Sequence, residues 1–262
     1  MSESKIGLQM YTVRDFVKTP EQYKETLRKI AEIGYSVIQT KCPGFFTEAE
    51  YIALLQQYGL KADSVYVSAE NAAAEVDGAA RLAQLYGCTA ARTNSIPTQY
   101  TESAEGYREF AKILNRGGRM CRDAGLRMMY HFHAFEWRRF GNERGIDILL
   151  NETDPDCVFF QPDVFWLTQA GTEPSRSLKL FQNRAFFLHV KDYAITTRKG
   201  EKESVPSMFA PVGTGNLHWD AILRTAEEMQ IERFVVEQDE CHGDVWEAIQ
   251  TSLENLHAMG LR

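Results

Sequence analysis

The chain has 262 residues, of which 44% are hydrophobic and 25% charged, a composition typical of a globular protein with a substantial core. Its formal charge of -7 argues against nucleic acid or an anionic membrane surface as the main partner. No apolar run approaches the roughly 20 residues that a membrane-spanning helix requires, and no signal peptide is visible, so we expect a cytoplasmic protein without a membrane partner.

The cysteine content indicates free thiols. There are five cysteines, an odd number, and no two of them form a C-x-x-C pair. This argues against both a disulfide framework and a structural zinc site, and it is consistent with a reducing cytosol.

Short apolar runs alternate with longer amphipathic runs along the whole chain. Eight of the short runs predict β-strands: KIGLQMY (5–11), YSVIQTKC (35–42), KADSVYVS (61–68), AARTNS (90–95), RMMYHFH (127–133), VFFQPDVFW (158–166), AFFLHVKDY (185–193) and RFVVEQDE (233–240). The runs between them carry apolar residues at helical spacing, most clearly at 103–124 and 244–259. Capping-box patterns at Thr19 and Thr47 predict where two of the helices begin, and Gly34 and Gly59 predict where they end.

Alternation of strand and helix eight times in about 250 residues predicts an α/β fold, a single (β/α)8 TIM barrel over residues 1–262. An open doubly wound sheet is the alternative, but the Gly-rich fingerprint that would follow its first strand is missing. In a TIM barrel the active site lies at the carboxyl ends of the strands. Polar side chains are therefore of most interest where the predicted strands end.

Polar residues follow the apolar bodies of the last four predicted strands. They are His131, His133 and Glu136 at the fifth strand, Asp163 at the sixth, His189 and Lys191 at the seventh, and Glu237 and Asp239 at the eighth. Carboxylates and imidazoles together suit Mn²⁺, Co²⁺, Mg²⁺ or Zn²⁺ with positions open for a substrate. A divalent ion would also remove the repulsion between several carboxylates in one cavity.

Each of these residues also has a simpler interpretation. His131 and His133 could be a packed polar pair, and His189 a buried core histidine. Asp163 could cap a turn, and Glu237 could pair with Lys191. The recurrence of polar clusters at the same place in four successive strands favours a site.

Two other segments have open interpretations. Gly213-Thr214-Gly215 could offer backbone amides to a ligand phosphate, although a tight turn is the more common use of such a motif. The stretch 194–212, charged and then apolar, is expected to be a loop that either folds over the mouth of the barrel or lies on the surface.

Six stretches carry a resemblance to a known family: GLQMYTVRD, YHFHAFEW, PDVFW…AG, LHVKDY, VGTGNLHWDAIL and FVVEQDE. They occur in this order over nearly the whole chain, and together they resemble the xylose isomerase-like sugar phosphate isomerase/epimerase family of TIM barrels. The closest branch has the pattern Y-H-N-H-x-F-E-F on its fifth strand. Phe132 and Ala134 depart from that pattern, which puts in doubt any substrate contacts that polar residues there would make.

The resemblance implies one divalent metal ion, commonly manganese, held by a Glu, an Asp, a His and a second Glu. Asp163, His189 and Glu237 match three of these positions. The first position is open, because this chain has His131 where many relatives have a glutamate. We prefer Glu136 for it, with the two histidines as substrate contacts or proton carriers.

The leading hypothesis is a metal-dependent sugar isomerase or epimerase that removes a proton next to a carbonyl through a metal-stabilised enediolate. Glu136 and Glu237 are the candidate acid/base pair, His131 or His133 would assist a leaving group, and Lys191 would stabilise a developing oxyanion. The alternatives are a dehydratase or lyase acting on keto sugars or cyclitols by β-elimination, and a non-catalytic sugar-binding barrel. We expect a small-molecule sugar or keto-sugar substrate, with a homo-oligomer as one expectation for the assembly.

Overall fold

The computed structural model describes residues 4–196 and 205–262. The chain divides into two units: the first comprises Met1–Asp63 and Phe187–Arg262, and the second comprises Ser64–Phe186. Among the described residues, no helix combines the length and the apolar character needed to cross a bilayer.

The described residues form strands and helices in regular alternation. In chain order the strands are β1 (Ile6–Gln9), β2 (Val37–Gln39), β3 (Lys61–Ala62), β4 (Ser64–Tyr66), β5 (Ala90–Asn94), β6 (Arg127–His131), β7 (Arg139–Phe140), β8 (Glu143–Arg144), β9 (Val158–Gln161), β10 (Phe187–Val190), β11 (Asp192–Thr196), β12 (Val205–Ala210) and β13 (Arg233–Val236). The α-helices are α1 (Pro20–Ile33), α2 (Glu48–Gln57), α3 (Ala72–Tyr86), α4 (Ala104–Asp123), α5 (Gly145–Glu152), α6 (Val164–Gln169), α7 (Pro174–Leu178), α8 (Trp219–Glu228) and α9 (Val245–Ala258). Every one of the eight predicted strand segments contains an observed strand.

Each unit is built on a parallel sheet. In the first unit the strand order is β10-β13-β1-β2-β3, and in the second it is β4-β5-β6-β9. Strands such as β1 and β10 are buried at every position, which is typical of parallel strands covered on both faces. The predicted third strand is interrupted at Asp63, so that β3 pairs with β2 and β4 pairs with β5.

The helix ends follow the predicted capping residues. The Thr47 side chain accepts a hydrogen bond from the Glu50 amide, and the Glu50 carboxylate accepts one from the Thr47 amide, which completes a capping box. The Thr19 side chain accepts a hydrogen bond from the Gln22 amide at the start of α1, but the Gln22 side chain accepts from the Lys18 amide, so the predicted capping box is not completed there. Gly34 ends α1 in the left-handed conformation, with φ of 116°, where a side chain would be strained.

Two antiparallel hairpins were not predicted. One pairs β7 with β8. The other pairs β11 with β12, which lie largely within the segment predicted as loop (194–212). The loop prediction is therefore wrong at 194–196 and 205–210, while residues 197–204 lie outside the described residues.

Parallel strands place their carboxyl ends at the same edge of a sheet. In the first unit this edge carries Gln9 and Gln39 at the ends of β1 and β2, His189 in β10, and Lys191 and Glu237 just beyond β10 and β13. In the second unit the corresponding edge carries His131 and Gln161 at the ends of β6 and β9, and Asp163 just beyond.

Candidate metal centre

The first unit brings three predicted site residues into contact. His189 Nδ1 and Lys191 Nζ both lie 2.9 Å from Oε2 of Glu237. Lys191 Nζ also lies 3.1 Å from Oδ2 of Asp239, and its side chain is only 1% exposed. The predicted pairing of Glu237 with Lys191 is therefore present. This ammonium group balances one of two adjacent negative charges, which leaves Glu237 and Asp239 with a net negative charge in a buried place.

The other ring nitrogen of His189 also faces an oxygen acceptor. Nε2 lies 2.9 Å from Oε1 of Gln39, an amide oxygen that can only accept a hydrogen bond. The imidazole is therefore held between the Gln39 amide and the Glu237 carboxylate.

His131 in the second unit also faces an oxygen acceptor. Its Nδ1 lies 3.3 Å from the main-chain carbonyl oxygen of Gln161, which can only accept, so Nδ1 donates. The His131 ring is 5% exposed and meets the His133 ring edge-on, with 4.8 Å between the ring centroids. The His133 ring stacks on Phe135 and contacts Trp166.

Asp163 is fully buried and caps a helix. Its Oδ1 accepts hydrogen bonds from the Phe165 and Trp166 amides, at 2.9 and 3.4 Å, at the beginning of α6. The simple interpretation of Asp163 as a cap is thus correct. The cap uses Oδ1, and both hydrogen bonds hold the carboxylate in one orientation.

Glu136 lies in a different environment from the one expected of a ligand. One carboxylate oxygen accepts a hydrogen bond from the Tyr130 hydroxyl, and the other accepts one from the His133 amide at 2.9 Å. Glu136 is completely buried, and desolvation raises its pKa to about 8 despite these hydrogen bonds. Around neutral pH this carboxyl group therefore carries a proton.

Each unit offers ligand groups of the kind that bind a divalent cation. These are the imidazole of His189 and the carboxylate of Glu237 in the first unit, and the imidazole of His131 and the carboxylate of Asp163 in the second. His189 Nδ1 and Glu237 Oε2 belong to the same unit and lie side by side. Two ligand atoms that each lie about 2.1 Å from one ion, at an angle of about 90°, are about 3.0 Å apart. Their separation of 2.9 Å fits a pair of ligands to one ion.

The Gly213-Thr214-Gly215 motif serves the fold. The amides of Gly213 and Gly215 donate to Oδ2 of Asp192, at 2.8 and 3.0 Å, and Trp219 Nε1 donates to the same oxygen. A Cβ atom added at Gly215 would lie 2.4 Å from Oδ1 of Asp192. An internal carboxylate thus occupies the place where a ligand phosphate was considered, and the tight-turn interpretation is confirmed.

Sequence reasoning missed two residues of this arrangement. Gln39, which contacts His189, is a polar residue at the end of the apolar strand β2, and a polar residue at a strand end is the feature that identified the other site residues. Tyr130, which contacts Glu136, is an aromatic residue within an apolar strand, and nothing in its sequence context indicates the contact.

Comparisons with known proteins agree on the fold. The family model described as xylose isomerase-like TIM barrel matches residues 27–258. An inosose dehydratase of Clostridium beijerinckii is 26% identical over 223 residues, which cover 81% of this chain and 69% of that protein.

Two solved structures are similar over nearly the whole chain. A sugar phosphate isomerase/epimerase from Parabacteroides distasonis has a TM-score of 0.78 at 21% identity, covering 100% of this chain and 96% of that one. The IOLI protein with a bound zinc atom has a TM-score of 0.69 at 16% identity, covering 97% of each chain. The fold is a TIM barrel, as the alternation of strands and helices predicted.

Proposed function

The chain belongs to the xylose isomerase-like TIM barrel family, and we propose on that basis that it is a metal-dependent dehydratase of a keto sugar or keto cyclitol. Such an enzyme removes a proton next to the carbonyl group and expels a β-hydroxyl group as water. The relative from Clostridium beijerinckii named inosose dehydratase supports this choice, since an inosose is a keto cyclitol. Isomerisation ranked first and dehydration second from the sequence alone, and we reverse that order because this relative is named as a dehydratase.

The proposed metal ligands are His131, Asp163, His189 and Glu237. A TIM barrel brings the carboxyl ends of its strands to one face, and all four residues lie at or just beyond such ends. The observation that carries the proposal is the state of the two histidines. In each, one ring nitrogen faces an oxygen acceptor, the arrangement that orients metal-ligating histidines in proteins. When bound, the metal would polarise the substrate carbonyl and stabilise the negative charge that develops as the adjacent proton leaves.

The metal is proposed to be Mn²⁺, with Co²⁺, Zn²⁺ and Mg²⁺ as alternatives. Two imidazole nitrogens with two carboxylates suit the first three ions better than Mg²⁺, which favours an all-oxygen shell. The IOLI protein, which shares the fold, was solved with zinc.

We assign His131, rather than Glu136, to the first ligand position. Both carboxyl oxygens of Glu136 are engaged, one with the Tyr130 hydroxyl and one with the His133 amide, and its raised pKa keeps the group protonated at neutral pH, which disfavours metal binding. Glu136 instead holds the turn that carries His133, through the His133 amide.

The proposed roles of the remaining groups follow from their positions. Glu237 takes the proton next to the carbonyl, Lys191 stabilises the developing oxyanion, and His133 protonates the departing hydroxyl. Epimerisation needs a base on each face of the substrate. With His131 at the first ligand position, the ligand set contains two carboxylates, Glu237 and Asp163. The Asp163 carboxylate is held in place by the Phe165 amide, which leaves Glu237 as the base among the ligands. A single base with a separate acid suits elimination.

Isomerisation of a keto sugar is the second candidate, because it begins with the same proton removal. We also propose that residues 1–262 form one domain, and that the protein works in the cytoplasm, where its five free cysteines would stay reduced.

The test uses the purified protein, stripped with EDTA and reloaded with Mn²⁺, and an inosose in D₂O. Proton NMR and near-ultraviolet absorbance distinguish the outcomes. Dehydration gives an unsaturated product, whereas isomerisation gives deuterium exchange and a new ketose. We expect manganese-dependent elimination that Glu237→Gln abolishes and that the exposed control His218→Ala retains. Full turnover by Glu237→Gln, or by the stripped protein, would contradict the proposal, and exchange without elimination would favour the isomerase.

A further inference from the structure

We propose that Arg14 and Asp239 are specificity-determining residues that bind hydroxyl groups of the substrate on the side of its ring away from the carbonyl group. The inference rests on the proposed function and deepens it, because it names groups that the substrate must carry. Both residues belong to the first unit. Neither is a proposed metal ligand, and neither has a part in the proposed proton transfers.

A cavity of the first unit lies at the carboxyl edge of its sheet. Its volume is about 450 Å³, within the range of pockets that bind small molecules. One wall comes from the 3₁₀ helix Met10–Phe16, which follows β1, and the other from residues between 239 and 246, which follow β13. Because β1 and β13 are parallel partners, both walls lie at the same edge as Glu237 and Lys191.

Asp239 connects this cavity to the proposed site. Its Oδ2 lies 3.1 Å from Lys191 Nζ, and the same ammonium group lies 2.9 Å from Oε2 of Glu237. The Asp239 side chain is 19% exposed and lines the cavity, whereas that of Lys191 is 1% exposed, so Asp239 is the partner that a ligand in the cavity can reach. One ammonium group separates Asp239 from the proposed base Glu237, and a single six-membered ring can span this separation.

Arg14 faces the same cavity from the opposite wall. Its guanidinium group lies over the Tyr11 ring, with Cζ 4.3 Å from the ring centroid, and Nη1 donates to the Tyr11 carbonyl oxygen at 3.1 Å. These two contacts hold the planar group in one orientation. A guanidinium group has five N–H donors, and within the described part of the chain Arg14 makes no hydrogen bond except the one to Tyr11. Donors therefore remain for a ligand.

The combination of donors and acceptors selects the chemical class of the ligand. A hydroxyl group both donates and accepts, so neighbouring hydroxyl groups can donate to Asp239 and accept from Arg14. An anion such as a phosphate ester can pair with Arg14 alone, and an amine with Asp239 alone. The anion would also face the carboxylates that line the cavity, which are those of Asp15, Asp239, Glu240 and Asp244.

The cavity also has an aromatic side. The rings of Phe16 and Trp246 meet edge-on, with 5.2 Å between their centroids, and both line the cavity. Aromatic rings offer a large apolar surface, against which the C–H groups of a sugar or cyclitol ring can be buried. The cavity thus suits a neutral, hydroxylated ring.

The experiment compares two substrates that differ by one hydroxyl group: an inosose, and its deoxy analogue without the hydroxyl group opposite the carbonyl. The wild type loaded with Mn²⁺ should prefer the inosose by about 100-fold in kcat/KM, because the analogue leaves polar groups of the site unpaired. In Arg14→Met the preference should fall below about 10-fold, mainly through a higher KM for the inosose. Asp239→Asn should also reduce it, because Lys191 retains the amide oxygen and the NH₂ group then faces the cavity.

The ratio of the two substrates separates contact from a structural effect. A variant that only loosens the fold slows both substrates equally and leaves the ratio unchanged. Arg224→Met, at an exposed position of α8, is the matched control and should keep the wild-type preference. A second readout needs no turnover: calorimetric titration with an inositol, which has no carbonyl group, should show about 10-fold weaker binding to Arg14→Met than to the wild type.

The outcomes separate this inference from the proposed function. If the wild type dehydrates the inosose, the ratio decides, and an equal preference in the wild type and Arg14→Met overturns the inference while the proposed function stands. If the wild type dehydrates neither substrate, the proposed function is overturned and the inositol titration decides. Weaker binding by Arg14→Met than by the wild type then supports the binding of hydroxyl groups in the cavity, whereas equal affinity or no binding overturns it.

Discussion

The buried Glu136 carboxyl group gives the stability of this protein a specific dependence on pH. Burial raises its pKa from 4.5 to about 8 in the folded state. Between these values the folded protein holds a proton that the unfolded chain releases. The free energy of unfolding contributed by this group is therefore greatest below pH 4.5, and it is lost as the pH rises toward 8.

The two pKa values set the magnitude of the effect. Where the folded protein binds one proton more than the unfolded chain, the free energy of unfolding falls by about 1.4 kcal/mol for each pH unit. From pH 5.5 to 7.5 the wild type should lose about 2.5 kcal/mol of stability through Glu136. In Glu136→Gln this loss should be absent, because a glutamine side chain is neutral throughout. At pH 5.5 the variant should be close to the wild type in stability, since a glutamine amide, like the protonated carboxyl group, has an oxygen that accepts from the His133 amide and a donor group that faces the Tyr130 hydroxyl.

Urea unfolding followed by circular dichroism at pH 5.5, 6.5 and 7.5 measures the free energy of unfolding of the wild type and of Glu136→Gln. The contributions of the other titrating groups cancel in the difference between the two proteins. Glu227→Gln, at an exposed position of α8, is the matched control and should follow the wild type. A constant difference between the wild type and Glu136→Gln across this range would show that Glu136 is ionised in the folded protein, and would refute the assignment of a buried proton.

Three other changes test the described contacts. Lys191→Met should destabilise the protein by about 3–5 kcal/mol, because it leaves two carboxylates without their buried counter-ion, whereas the exposed Lys24→Met should have little effect in the same urea titration. Gly215→Ala should lower the melting temperature, because its Cβ would meet a carboxylate oxygen at 2.4 Å; Gly78→Ala, which has open space within α3, should not lower it. Burial raises the pKa of Cys121 to about 12, so this thiol should resist a thiol reagent at pH 8 until urea is added, and rapid reaction of the native protein would contradict its burial.

Most of the parallel-sheet framework could be predicted from the sequence. Buried parallel strands are apolar along their whole length, and such runs stand out between amphipathic helices, as in Phe187–Val190. The break at Asp63 and the hairpin of Arg139–Phe140 with Glu143–Arg144 could not be predicted. Two-residue strands are too short to show a period, and their pairing depends on tertiary context.

The site was predictable only in part, for a related reason. His189 and Glu237 follow apolar strands, so the position of polar residues at strand ends was sufficient to identify them. The contact of Gln39 with His189, by contrast, joins residues 150 positions apart. Glu136 was preferred as a ligand because it is a glutamate close to the position where many relatives have one. This preference did not take account of the Tyr130 hydroxyl and the His133 amide that already bind this carboxyl group.

The metal content of the purified protein tests the central claim most directly. Elemental analysis after soaking in Mn²⁺ and desalting should be made on the wild type, His131→Ala, His189→Ala, Glu136→Gln and the exposed control His218→Ala. We expect one Mn²⁺ ion per chain in the wild type, in Glu136→Gln and in the control, and none in the two alanine variants of the proposed ligands. Retention of the ion by His131→Ala together with its loss from Glu136→Gln would return the first ligand position to Glu136. A wild type without metal would contradict the metal site altogether, and a non-catalytic sugar-binding barrel would then be the better account of this chain.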